Sequence, residues 1–150
     1  MTDTTDARTE IENATWEIRE RARQNAYVGF WIAASSVLVG VLAYFGIDLF
    51  GQGLTDPVEK AFALGFVVIY ALIIAGFAVW SWTGSRIGAV VIFCFAVFEI
   101  IAVIINALTG AGFALPILPI VLTFFAGRGM LASFKYQSER KRLINEQVFS

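Results

Sequence analysis

The chain has 150 residues, 58% of them hydrophobic and only 15% charged, where a soluble domain carries roughly 25% charged residues; that excludes an ordinary soluble globular class. A net charge of −1 argues against a nucleic-acid partner. With no histidine anywhere, His-ligated haem is excluded, and the commonest metal ligand and general base are missing.

The apolar residues gather into four blocks, about 27–46, 61–80, 87–108 and 115–134. Each approaches the ~20 residues that a helix rising 1.5 Å per residue needs to cross ~30 Å of hydrocarbon. The blocks do not alternate as β-barrel strands would, and about 25 polar residues precede the first, unlike a secretory signal. The expected fold is all-α: an integral membrane four-helix bundle forming one domain over 1–150, with an amphipathic N-terminal helix over 1–25 and a helical tail over 135–150.

In chain order, TEIENATWEIRERARQNA reads as the first helical segment. Thr9 and Glu12 have the spacing of a capping box, in which each side chain satisfies a free amide of the first turn. Ile11, Ala14, Ile18 and Ala22 make a narrow apolar face. Acidic residues early and arginines late suit the helix dipole. The segment either lies on the membrane or runs into span one; a docking helix for a partner protein is the alternative.

In span one, Gly29, Ala33, Ser36, Gly40 and Ala43 recur at spacings of 4, 3, 4 and 3. Small side chains on one face let helix backbones approach in lipid, so this face is expected to pack tightly against another helix. Span two carries a weaker version in Ala61, Gly65, Ala71 and Ala75. SWTGSRIG is short enough to make spans two and three an antiparallel hairpin.

Span three holds a carboxylate, Glu99, in the middle of FCFAVFEIIAVIIN, with Cys94 read as a small buried hydrophobe. Counting from Ile87 puts Glu99 roughly 18 Å into the ~30 Å core, where an ionised, unpartnered acid is expensive. Similar counting brings Ser35, Ser36, Tyr70 and Thr123 to nearby depths, with Asn106 two turns outward on the face of Glu99. These residues are expected to form a polar layer. Arg128 is the one basic residue near enough to join it, although snorkelling to the interface is simpler.

Span four opens with LPILPI, where Pro116 suits a first turn and Pro119 suggests a bend. It closes with AGRG, whose glycines permit close packing or a kink. Beyond it the tail carries Arg140, Lys141 and Arg142, a small cluster expected to attract anionic lipid headgroups.

Basic residues flank the spans at one end, with Lys60 alone at the other. Arg8, Arg19, Arg21 and Arg23 precede span one, Arg86 separates spans two and three, and Lys135 and Arg140–Arg142 follow span four. The loop 47–60 is mainly acidic, through Asp48, Asp56 and Glu59, and the loop 109–114 is uncharged. Positive charge stays on the cytoplasmic side, which puts both termini inside. Tyr27, Trp31, Trp80, Trp82, Phe134 and Tyr136 fall at that same level as an aromatic belt.

In span number and in having one membrane-embedded glutamate, the chain resembles small multidrug transporters. Their acid lies in the first span, where this chain has none, so no residue role carries over. With no metal-ligand cluster, phosphate loop or activated nucleophile in the sequence, the expectation is a non-enzymatic protein of the bacterial cytoplasmic membrane without cofactors. It would serve as an accessory, assembly or scaffolding subunit, as a homo-oligomer or with other membrane proteins. A small oligomeric transporter or channel using Glu99 as a proton or cation site is the alternative. A membrane enzyme using the acidic loop is a weaker third, because Asp56, Pro57 and Glu59 read more simply as a solvated connection.

Overall fold

The computed structural model describes residues 3–45, 47, 56–109 and 117–149, without the side chains of 3–8, 10, 106, 109 and 147–149. Four helices account for nearly all of it: α1 (Asp3–Tyr44), α2 (Pro57–Trp82), α3 (Arg86–Thr109) and α4 (Ile117–Phe149). Each contains a stretch long and apolar enough to cross a membrane. They pack as an antiparallel bundle in which α1 touches all three others.

The bundle is apolar on the outside and small on the inside. Phe62, Phe66, Leu72, Phe98, Phe124 and Leu131 face outward, whereas the buried hydrophobic residues are mostly alanines, among them Ala26, Ala33, Ala71, Ala78, Ala89, Ala96 and Ala126. Water would drive those outer side chains inward; a hydrocarbon solvent does not. Close contact between small residues then supplies the cohesion, as dispersion.

The small face of span one does this inside the bundle. A Cβ added to Gly29 would lie 2.8 Å from the Cβ of Ala78 on α2 and 2.7 Å from Cδ1 of Ile92 on α3. One added to Gly40 would lie 2.8 Å from Val67 on α2. Ala33 is buried in the same core, and Ser36 and Ala43 are half-buried at its margin.

The segment preceding span one is continuous with it, so α1 is one 42-residue helix, about 63 Å long at 1.5 Å per residue. Two local readings change. Thr9 lies within α1, which begins at Asp3, so Thr9 and Glu12 do not open the helix. Its buried stripe takes Thr15 where apolar character alone favoured Ala14, which is exposed. Thr15 tolerates burial because its hydroxyl donates to the Ile11 carbonyl one turn back, at 2.7 Å. The resulting line of Thr15, Ala22, Asn25, Gly29 and Ile32 is buried throughout and spaced by sevens and by threes and fours, the seam of a coiled coil.

At the other corners the chain follows local chemistry. Asp56 caps α2 by accepting from the Val58 amide at 2.8 Å, with Pro57 in the first turn; Asp48 and Pro116 lie outside the described residues. Pro119 is the third residue of α4, where its missing amide forfeits no helical bond. Between α2 and α3, Gly84 takes φ +84°, open to glycine and strained for other residues. The turn is held from α4: Gln137 Nε2 donates to the Gly84 carbonyl at 2.6 Å, and Arg86 donates to the Phe134 carbonyl at 3.2 Å.

Candidate functional site

Among the described residues, two polar sites tie the helices together, ten residues apart on α3 and so separated by about 15 Å along the axis. The sequence points to one of them. Tyr70 of α2 donates its hydroxyl to Glu99 Oε1 of α3 at 3.0 Å, and the Tyr70 ring meets Phe95 edge-on at 5.6 Å. Both partners are half-buried. In a low-dielectric medium a carboxyl group needs such a donor, and the bond fixes the register of α2 against α3.

The wider polar layer does not assemble. Ser35 and Ser36 both turn back on their own helix, donating to the Ile32 carbonyl at 3.0 and 2.8 Å. Thr123 shares its hydroxyl proton between the Pro119 carbonyl of its own helix at 2.8 Å and the Ala96 carbonyl of α3 at 3.0 Å. A short hydroxyl side chain on a helix reaches the carbonyl one turn back more easily than a neighbour, which consumes its only proton. The side chain of Asn106 is outside the described ones. Arg128 forms no ion pair with Glu99; it is exposed, its guanidinium 5.7 Å above the Phe124 ring.

The second site is organised by Asn25, which reading span one from Tyr27 passes over. Asn25 is fully buried and reaches each of the other helices. Its Nδ2 donates to the carbonyls of Ala126 on α4 at 2.8 Å and Ala89 on α3 at 3.2 Å. Its Oδ1 accepts from Ser81 Oγ on α2 at 3.1 Å. Both amide protons and one oxygen lone pair are therefore used, as a buried amide requires.

Glycines make this crossing possible. A Cβ on Gly129 would lie 2.7 Å from both the backbone nitrogen and the Cβ of Asn25. One on Gly88 would lie 2.7 Å from the Ser81 nitrogen. Gly129 therefore seats α4 on α1, and Gly88 seats α3 on α2. Of the AGRG pair, Gly127 faces the Phe93 ring, with 3.3 Å left for a methyl group. The sequence signal for Asn25 is its position: an asparagine on a seam otherwise made of small and apolar residues.

Aromatic and basic side chains cluster around this end. Tyr27 meets Trp82 edge-on at 5.1 Å, Arg23 stacks 5.0 Å from the Trp82 ring, and Arg86 stacks 5.2 Å from Phe134. In the tail, Arg140 and Lys141 are exposed, whereas Arg142 pairs with Glu139 at 3.2 Å and Glu146 at 3.4 Å, which weakens the basic cluster. Cys94 is exposed on the outside of α3, contrary to its reading as buried, because the inward phase belongs to Ile92 and Ala96.

Among the described residues, no three His, Cys, Asp or Glu side chains gather where they could hold a metal ion. What the arrangement does chemically is tie helices: one amide binds four of them at one level, and one tyrosine–carboxyl bond pins two at another. Compared with protein-family models, curated proteins and solved structures, the chain matches none.

Proposed function

We propose that this chain is a non-catalytic integral membrane protein that serves as an accessory, assembly or scaffolding subunit of a membrane complex. The observation that carries this reading is the pair of helical arms that α1 and α4 extend past the Asn25 layer. There α2 ends at Trp82 and α3 starts at Arg86, so only α1 and α4 continue. About 22 residues of α1 and 20 of α4 run beyond Asn25 and Gly129, each roughly 30 Å of helix. Thr15, Ala22 and Ser133 are buried within these arms, while Trp16 stands 60% exposed on them. A firmly braced polar platform carrying an exposed aromatic suits protein contact, since tryptophan is enriched in interface hot spots.

The bundle sits in the bacterial cytoplasmic membrane with both termini in the cytoplasm. The basic residues at the arm end and the acidic cap of α2 at the opposite end support this orientation. Extraction of the untagged protein from its native membrane in mild detergent tests the role. A particle larger than the chain, containing a stoichiometric second species or further copies of this one, is expected; a lone monomer counts against it.

The half-buried Tyr70–Glu99 pair favours a second reading, an oligomeric transporter or channel with Glu99 as proton or cation site. Proton-coupled flux into liposomes decides between them. Equal flux through wild type and Glu99→Gln removes the acid from any transport mechanism.

A further inference from the structure

On the outer side of the arm junction, α1 and α4 leave an open groove of about 280 Å³. Three cations line it, Arg21 from α1 with Arg128 and Lys135 from α4, and no acidic residue does. Between them lie Ile18, Leu131 and Ala132, with Gln24 the one uncharged polar residue, so the floor is mainly apolar. Arg21 and Lys135 have no ion-pair partner among the described residues, and the Phe124 ring supports the face of Arg128 without using its N–H donors.

The groove also lies at a telling level. Arg128 neighbours Gly129, which contacts Asn25, and Lys135 neighbours Phe134 of the aromatic belt. Its inner end is therefore level with the bundle and its outer end with the headgroup region. We infer that this groove binds an anionic phospholipid, with Arg21, Arg128 and Lys135 holding the phosphate and Ile18, Leu131 and Ala132 receiving the start of an acyl chain. Convergent cations supply the charge-assisted bonds that a phosphate needs, and the apolar floor gives a lipid an advantage that free phosphate lacks. The inference rests on the membrane location and is independent of any protein partner.

Native mass spectrometry of the full-length protein in detergent tests it, with phosphatidylglycerol, phosphatidylcholine of the same chains, and inorganic phosphate as probes. Phosphatidylglycerol should outlast phosphatidylcholine, and R21Q/R128Q/K135Q should weaken its binding by at least about tenfold. K60Q, which removes a charge at the opposite end of the bundle, should stay within about twofold of wild type. Equal retention of the two lipids, or a groove variant that binds like wild type, overturns the proposal. Displacement of the lipid by millimolar inorganic phosphate also overturns it and marks a free-anion site. Should the triple variant not fold, Lys135→Gln alone makes the same comparison, with a loss of about fivefold expected and none overturning it.

Discussion

The side-chain amide of Asn25 donates to the main-chain oxygen of Ala126 at 2.8 Å, joining the first helix to the last across 101 residues of sequence. The same side chain engages Ala89 and Ser81, so one residue holds the level at which all four helices meet.

Replacing Asn25 by alanine removes three hydrogen bonds and leaves the Ser81 hydroxyl to find another acceptor. Unfolding in detergent should show a loss of about 1–3 kcal/mol. Asn25→Asp is nearly the same size but sets a carboxylate where two carbonyls require a donor. It should destabilise more than alanine, and a variant as stable as wild type would contradict the assigned hydrogen bonds.

Gly129 and Gly76 offer a paired comparison on two helices. A methyl group at Gly129 collides with the Asn25 backbone, whereas nothing lies within 4 Å of one at Gly76. Gly129→Ala should cost about 1–3 kcal/mol by forcing α1 and α4 apart. Gly76→Ala should be neutral or stabilising by up to about 1 kcal/mol through helix propensity. Thermal melts of the two variants in one detergent separate these outcomes.

The Tyr70–Glu99 bond calls for a double-mutant cycle. Tyr70→Phe and Glu99→Leu should each lower stability, and the two losses should not add. A coupling of about 0.6–1.7 kcal/mol is expected for a hydrogen bond between membrane helices. A coupling of zero would mean that the 3.0 Å contact contributes nothing to the fold.

Orientation is open to chemical labelling. With Cys94 changed to serine, a cysteine placed at Val58 should react with a membrane-impermeant maleimide added to intact cells. One placed at Ser138 should react only after lysis. The opposite pattern would invert the assigned topology.

Much of the architecture is legible in the sequence because hydrocarbon enforces it. Only long apolar helices satisfy their own backbone there, so four blocks become four helices. The link from Glu99 to Tyr70 follows from the same medium, in which a deep carboxyl group must find a donor. Ser35, Ser36 and Thr123 defeated depth counting because a hydroxyl can satisfy itself on its own helix, and depth carries no information about that choice. Cys94 failed on helical phase, since lipid lets small side chains face outward freely. Asn25 was hidden by a boundary: counted as the polar residue before span one, it is the polar residue inside the helix crossing. Its periodic alignment with Thr15, Ala22, Gly29 and Ile32 was the available clue.

The unbroken α1 has a mechanical consequence. Asn25 divides it into lengths of about 33 and 28 Å, nearly equal. The second length is clamped where Gly29 meets Ala78 and Gly40 meets Val67, so the first is a cantilever rooted at the Asn25 level. A load on the arm near Trp16 would thus be met at Asn25, where all four helices join, without any change in the helix itself.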